Sequence, residues 1–323
     1  MTTISVILPT YNRPVWVCNA IDSVLSQRWQ PHEIVVIDDG STDHTAEVLK
    51  SYGSAIRVIS QPNRGAAAAR NAGLMHSHSD WVAFIDSDDE WHPRYLETQV
   101  RALNQSPGAA LSITDAHLVG HDHPEQTYFE LNGIYHRWGD FQTRRIPRAD
   151  SMGFLIRHLP WQLGAVVVKR EALQHAGLFD DTLRLSEDVE WLGRIARLGD
   201  MVLTSQALLE VYRRQGARDG LSDPQVIAPV QARRLNDQAY RRWCELAGLS
   251  YQERRAVKKR IAANSVSLAH LLAASHDPLN ARHWYLQSMR TWPSAAALMG
   301  WARQWRSSVK ALQPVMAHHR RQG

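Results

Sequence analysis

At 323 residues, with 44% apolar and 21% charged side chains, the chain can bury a sizeable core, has the length of two domains or of one large domain with an appendage, and is not a disordered polymer. Its two cysteines, Cys18 and Cys244, form no cluster, which argues against a disulfide scaffold or a cysteine-rich zinc site, and no stretch approaches the roughly 18 uncharged apolar residues of a membrane span. The net charge of +5 is unevenly spread: residues 1–220 hold 21 Lys/Arg against 27 Asp/Glu, and residues 221–323 hold 16 against 5. The opening MTTISVILPT has no basic region ahead of its apolar stretch, so a signal peptide is not expected, and a cytoplasmic, reducing compartment fits the cysteine usage.

In chain order, Ile4–Leu8 is a short apolar strand, Pro9 to Arg13 is turn-like, and Pro14 suits the first position of a helix. Val17, Ile21, Val24 and Leu25 then recur at helical spacing. A second strand, Ile34–Ile37, stops at Asp38-Asp39-Gly40-Ser41, and Thr42 or Asp43 can cap the next helix. Ile56–Ile59 is a third strand, Gly65 to Leu74 a third helix, and Trp81–Ile85 a fourth strand ending in Asp86-Ser87-Asp88-Asp89. This β-α alternation predicts a mostly parallel α/β sheet with right-handed crossovers, in which ligands bind at the carboxyl ends of the strands. Both acidic clusters lie at such ends.

Beyond residue 110 the pattern loosens. Leu111–Ile113 and Ala165–Val168 read as strands around a polar stretch at 120–150, and Glu187–Leu198 reads as a helix with Val189, Leu192, Ile195 and Ala196 on one face. Past 220 the chain reads as helical near 224–247, 250–275, 279–291 and 294–313. That basic third invites an anionic partner surface, with a solvated helical face as the plainer alternative.

Carboxylates at i and i+2 of an extended segment point the same way. Asp86 and Asp88 can therefore converge on one hard cation, Mg²⁺ or Mn²⁺, which takes one or two carboxylates plus substrate phosphates. Asp38-Asp39 can accept hydrogen bonds from a ribose or a base, or simply cap a helix. Arg64 and Arg70 flank a helix start, where backbone N–H groups and guanidinium groups hold phosphates. Glu187-Asp188 opens a helix, and a partly buried carboxylate there can deprotonate a hydroxyl; a simple cap is the alternative. His76/His78 and His121/His123 have no evident third metal ligand and read as surface residues.

Taken together, SVILPTYNRP (5–14), EIVVIDDGSTDHT (33–45), NRGAAAARNAGL (63–74), DWVAFIDSDDEWHP (80–93) and GLFDDTLRLSEDVEWLGRIA (177–196) resemble, in order, the motifs of the family 2 glycosyltransferases. The resemblance covers roughly residues 2–215 and implies the GT-A fold: a Rossmann-like sheet with helices on both faces, here followed by a C-terminal helical region. It implies a nucleotide-sugar-binding half at 1–110 and an acceptor-binding half at 111–220; the basic helical region at 221–323 is read from charge and helical spacing.

By the same resemblance Pro9, Thr10 and Tyr11 line the nucleoside pocket, Asp39 bonds the base, and Arg70 with Arg64 lies near the base or diphosphate. Asp86 faces the ribose or the metal, Asp88 ligates Mn²⁺ or Mg²⁺, Asp188 is the general base, and Glu187 neighbours it in the acceptor site. Trp91 or Trp161 is a candidate to stack on a sugar, with a packed aromatic as the alternative for each. The QxxRW signature of the processive synthases is absent; Tyr212-Arg213-Arg214-Gln215 is all that stands after the base.

The implied activity is a single-addition, inverting hexosyl transfer from a nucleotide-diphosphate sugar, UDP-linked by family habit, to a glycan or lipid-linked acceptor in cell-surface polysaccharide or glycolipid assembly. A sugar nucleotidyltransferase would need a Gly-rich phosphate loop after the first strand, and an inactive nucleotide-sugar-binding scaffold would not need Asp86, Asp88 and Asp188 together. The C-terminal aromatics interleave with arginines, but at helical spacings that favour packing over nucleic-acid stacking. Trp301, Trp305, Arg303, Arg306 and Lys310 suggest instead a helix lying peripherally at the inner face of a membrane.

Overall fold

A computed structural model describes residues 2–120, 125–139, 141–159, 162–212 and 227–305. The chain divides into two compact units, Met1–Gly216 and Ala217–Gly323.

The first unit begins with β1 (Ile4–Thr10), α1 (Trp16–Leu25), β2 (Glu33–Asp38), α2 (Thr45–Ser51), β3 (Arg57–Ser60), α3 (Ala66–Met75) and β4 (Trp81–Phe84). The short β5 (Glu90–Trp91) and α4 (Tyr95–Asn104) lead into β6 (Ala109–Val119), α5 (Tyr128–Leu131), α6 (Ile134–Trp138), β7 (Thr143–Ile146) and α7 (Arg148–His158). β8 (Val166–Lys169), α8 (Arg170–Ala176), α9 (Glu187–Ile195) and β9 (Asp200–Tyr212) complete it. The expected helix at Pro14 starts two residues later, at Trp16, because Pro14 and Val15 form a turn ahead of it.

The nine strands of the described residues join one sheet in the order β3-β2-β1-β4-β8-β6-β9-β5, with β7 pairing with β9. The first four strands are mutually parallel, as the β-α alternation predicts. Beyond β4 the sheet is mixed: β8 runs antiparallel to both β4 and β6, while β6 and β9 are parallel. β1 is buried along its whole length, which explains why ISVILPT reads as one apolar run rather than an alternation. β3, at the edge, is largely exposed.

α3 crosses from β3 back over β2 and β1 to reach β4 and is built of small residues for that reason. Ala69 and Ala72 pack against Val35 and Ile37. At Gly73 an added Cβ would stand 2.3 Å from Ile7 Cγ2, so the helix lies closer to β1 than any side chain would allow.

The second unit holds α10 (Pro229–Arg242), α11 (Tyr251–Ala274) and α12 (Pro278–Thr291). α11 starts at a capping box made by Ser250 and Glu253, and α12 at Pro278 with Asp277 accepting from the Asn280 N–H. Leu268, Ala269, Leu272, Ala281 and Tyr285 form its core. The aromatics expected to pack do so in part: Trp243 is wholly buried and Trp284 and Trp301 pack partly buried against this core, whereas Trp292 is half-buried under Arg255 and Lys259 and Trp305 is exposed. Trp301 and Trp305 stack at 5.8 Å, with the Arg282 guanidinium 4.4 Å from the Trp305 ring centre. Arg306 and Lys310 fall outside the described residues. Among the described residues, no helix is long and apolar enough to cross a membrane.

Candidate active site

The chain steps outward from β1 to β2 to β3, then returns through α3 to β4 on the other side of β1. The β1/β4 junction is therefore the switch point of the sheet, where the loops leaving the two strands part and open a crevice at their carboxyl ends. Thr10 ends one strand, and Asp86 follows the other by two residues.

The loop leaving β1 is firmly held. Asn12, in the left-handed region at φ 52°, donates its N–H to Ser41 Oγ (2.9 Å) and accepts from the Thr42 N–H at Oδ1 (2.8 Å). The next N–H, of Arg13, donates to Thr45 Oγ1 at 3.0 Å. Arg13 then reaches across the switch point: its Nη1 pairs with Asp88 Oδ1 at 2.6 Å and donates to Ser87 Oγ at 3.3 Å. Pro9 and Thr10 are buried at the head of this loop, and Tyr11 is exposed. Thr10 Oγ1 is buried without a hydrogen-bond partner.

On the other side, α3 delivers Arg70 into the interior. Its Nη1 donates to Glu187 Oε1 at 2.6 Å and its Nη2 to Asp86 Oδ1 at 2.8 Å, and the guanidinium lies 5.9 Å from the Phe179 ring centre. One side chain thus joins the end of β4 to the first turn of α9. Next to it, Asn71 exchanges two hydrogen bonds with the Phe179 backbone, at 3.0 and 2.8 Å. Phe179 in turn stacks on Trp191 at 4.1 Å, and Phe84 meets both rings edge-on. This aromatic layer fixes the start of α9, where Ser186 sits in the left-handed region at φ 62° and Glu187, Asp188 and Glu190 occupy the positive end of the helix dipole.

The first turn of α9 carries the most telling electrostatics. Asp188 accepts from the Val189 N–H at 2.8 Å. Burial, and then the Glu187 charge, push its carboxyl up to about 7, against the pull of Arg70. Burial raises Asp88 as well, with Arg13 opposing, and raises Asp89 further, with Asp88 and Asp86 adding to the effect. The Arg70 guanidinium is held firmly protonated by Asp86 and Glu187 in spite of its burial.

Two guanidinium groups, Arg13 and Arg70, thus face five carboxyls: Asp86, Asp88, Asp89, Glu187 and Asp188. Such an excess of hard oxygen donors suits a divalent cation. Among the described residues no group of three or more His, Cys, Asp or Glu side chains is placed to hold a metal ion.

The sequence-predicted residues divide accordingly. Asp86, Asp88, Arg70, Glu187 and Asp188 come together. Asp39 stands nearby at the end of β2 but directs its carboxylate to Gln61 Nε2 (2.7 Å), the Arg64 N–H (3.0 Å) and the Gly65 N–H (2.8 Å), organising the loop before α3. Arg64 contributes that backbone N–H, while its exposed side chain pairs with Asp181 at 3.5 Å. Trp91 is 3% exposed, stacks on Tyr95 at 4.2 Å and donates to the Gly164 carbonyl at 2.7 Å, so it is a packed aromatic and not a sugar platform. Trp161, His121 and His123 lie outside the described residues. Arg13 and Asn71 were not singled out by their sequence context. An arginine in the loop after the first strand, opposite an acidic strand end, was the signal available for Arg13.

Comparison with known proteins agrees with this architecture. Residues 5–163 match the family described as Glycosyl transferase family 2. An uncharacterized glycosyltransferase of Rickettsia prowazekii is 25% identical over 215 residues, covering 64% of this chain and 63% of that protein. The chain spans less than two thirds of the length of the curated relatives it matches, and as little as 15% of one.

Among solved structures, S. aureus TarS 1-349 in complex with UDP-GlcNAc superposes with a TM-score of 0.70 at 16% identity, covering 97% of this chain and 92% of that one. A mannosyltransferase of Pyrobaculum calidifontis in complex with GDP-Man and Mn²⁺ gives 0.56 at 16% identity, covering 93% and 86%. The fold is GT-A, and the match to glycosyl transferase family 2 lies within residues 5–163, just under half of the chain.

Proposed function

We propose that this chain transfers a sugar from a nucleotide-diphosphate donor, UDP-linked in the first instance, to a hydroxyl of a glycan or lipid-linked acceptor, inverting the anomeric centre in a single displacement. The observation that carries the reading is Arg70, which ties Asp86 at the donor end of the sheet to Glu187, the neighbour of a carboxylate whose affinity for protons is tuned near neutrality.

In this reading Asp188 takes the proton of the acceptor hydroxyl as its oxygen bonds to the anomeric carbon. The bond from that carbon to the diphosphate breaks, and the nucleoside diphosphate leaves with the electron pair. Arg70, kept protonated by its carboxylate partners, supplies fixed positive charge beside the departing group. Asp86 and Asp88 would hold Mn²⁺ or Mg²⁺, which when bound supplies charge to the same leaving group. Pro9, Thr10, Tyr11 and Asp39 would bound the nucleoside pocket, with the unpartnered Thr10 Oγ1 available to a ligand.

The relative with UDP-GlcNAc and the one with GDP-Man and Mn²⁺ support the donor class and the use of a divalent cation. We assign residues 1–110 to donor binding, 111–220 to the acceptor, and 221–323 to an accessory role. A place in cell-surface polysaccharide or glycolipid assembly follows from that acceptor class. Exposed Leu298, Met299 and Trp305, the last with the Arg282 guanidinium over its ring, support peripheral contact with an anionic membrane, to be tested by liposome sedimentation with and without residues 294–323.

The transfer reading is tested by incubating the protein with UDP- and GDP-sugars and Mn²⁺ and measuring nucleotide release. Slow release from one donor, abolished in Asp188→Asn, is the expected outcome. Release from none, with or without added glycan acceptors, would leave a binding scaffold as the better description.

A further inference from the structure

The Arg13–Asp88 pair has no part in the mechanism above, yet it occupies the residue that should hold the metal. Three features make it a built contact. The backbone on either side is fixed, through Asn12 to Ser41 and Thr42 and through the Arg13 N–H to Thr45. Thr45 is itself anchored, since its N–H and Oγ1 both donate to Asp43 Oδ1, at 2.9 and 2.6 Å. The Arg13 side chain is only 13% exposed, and its guanidinium lies 5.7 Å from the Trp16 ring centre and contacts Ser87 as well as Asp88.

A charge held this close to Asp88 answers part of the carboxylate excess in the crevice. We infer that Arg13 is a resident cation at Asp88 that a divalent metal must displace, so that the metal loads together with the nucleotide diphosphate and not ahead of it. The inference rests on the transferase reading of the site.

The physical argument is one of exchange. A metal arriving alone has to break a 2.6 Å charge-assisted contact made by an arginine side chain that is only 13% exposed. A metal arriving with a diphosphate brings anionic oxygens that can take the guanidinium over, and the two-phosphate geometry suits its paired donors. Metal and nucleotide affinities are then coupled through Arg13, and by linkage each raises the other equally. The crevice would thereby avoid binding free metal in the absence of donor.

The test is Mn²⁺ binding read by the electron paramagnetic resonance of the free ion, with and without UDP, in wild type, Arg13→Gln and Arg13→Lys. Arg13→Gln should bind Mn²⁺ alone about tenfold more tightly than wild type, and the gain on adding UDP should shrink by a similar factor. Arg13→Lys keeps the charge and should resemble wild type. Equal Mn²⁺ affinity in wild type and Arg13→Gln without nucleotide would overturn the inference. So would an equal gain in Arg13→Lys, which would point to packing instead of charge.

Should Arg13→Gln fail to fold, the wild-type protein still decides the matter. The Nε–H resonance of Arg13, assigned with Arg13→Lys, should shift when Mg²⁺ and UDP are added, and an unmoved resonance would contradict the exchange. If wild type binds neither Mn²⁺ nor UDP in any combination, the transferase reading fails and the inference with it. If it binds the Mn²⁺–UDP pair but shows no dependence on Arg13, only the inference fails.

Discussion

Arg70 donates to Glu187 across 2.6 Å while its other terminal nitrogen holds Asp86, so that two segments about a hundred residues apart meet on one buried guanidinium. Removing it strands Glu187, which is only 10% exposed, without a counter-charge. Arg70→Met should cost about 3–5 kcal/mol in urea unfolding, the range for breaking a buried pair. Nucleotide release should fall by at least about 10²-fold, since charge beside the leaving group is lost too. Unchanged stability would mean that the pair is not formed in solution.

Asp188 gives the pH dependence. Its carboxyl is pushed up to about 7 by burial and by Glu187, and in its proposed role as base it works only when deprotonated. The rate should therefore fall as pH drops through about 7, and Asp188→Asn should lower it about 10²–10⁴-fold at pH 8. Stability runs in the opposite sense. The folded protein holds this proton more tightly than the unfolded chain, so the contribution is present below the ordinary carboxylate range and is lost as pH rises through about 7. Asp188→Asn mimics the protonated form and should be the more stable protein at pH 8. A variant less stable than wild type there would contradict the assignment.

Gly73 tests the seating of α3. An added Cβ would come within 2.3 Å of Ile7 Cγ2 in the fully buried β1. Alanine normally favours a helix over glycine by about 1 kcal/mol. Here the clash should win, and Gly73→Ala should lose about 1–3 kcal/mol in thermal or urea unfolding. A stabilised variant would show that α3 can lift off β1 freely.

Trp91 separates packing from recognition. Trp91→Phe removes the hydrogen bond to the Gly164 carbonyl and part of the stack on Tyr95, and should destabilise by about 1–3 kcal/mol. The KM for acceptor should be unaltered. A raised KM with unchanged stability would return Trp91 to the sugar site.

Which parts were legible follows from what short motifs encode. The β-α alternation through residue 85 and the acidic strand ends are local patterns, and they located four parallel strands and the crevice. β9 was not foreseen, because Thr204, Ser205 and Gln206 interrupt its apolar run and its pairing with β6 spans about ninety residues. Asn71 with Phe179 and Arg13 with Asp88 are likewise side-chain meetings set by the crossing of α3 and the turn after β1, which no spacing in the sequence records. For Trp91 the sequence leaves a sugar platform and a packed aromatic both open, and the Gly164 carbonyl and Tyr95 that enclose it decide for packing.

The central claim is that this crevice binds a nucleotide diphosphate with the help of a divalent cation on Asp88. Calorimetric titration of UDP, dTDP and GDP in the presence of Mn²⁺, repeated with EDTA and on Asp88→Ala, tests it most directly. The account predicts binding of one nucleotide that depends on Mn²⁺ and is lost in the variant. Failure of all three nucleotides to bind with Mn²⁺ present, or binding indifferent to both EDTA and Asp88→Ala, would contradict it.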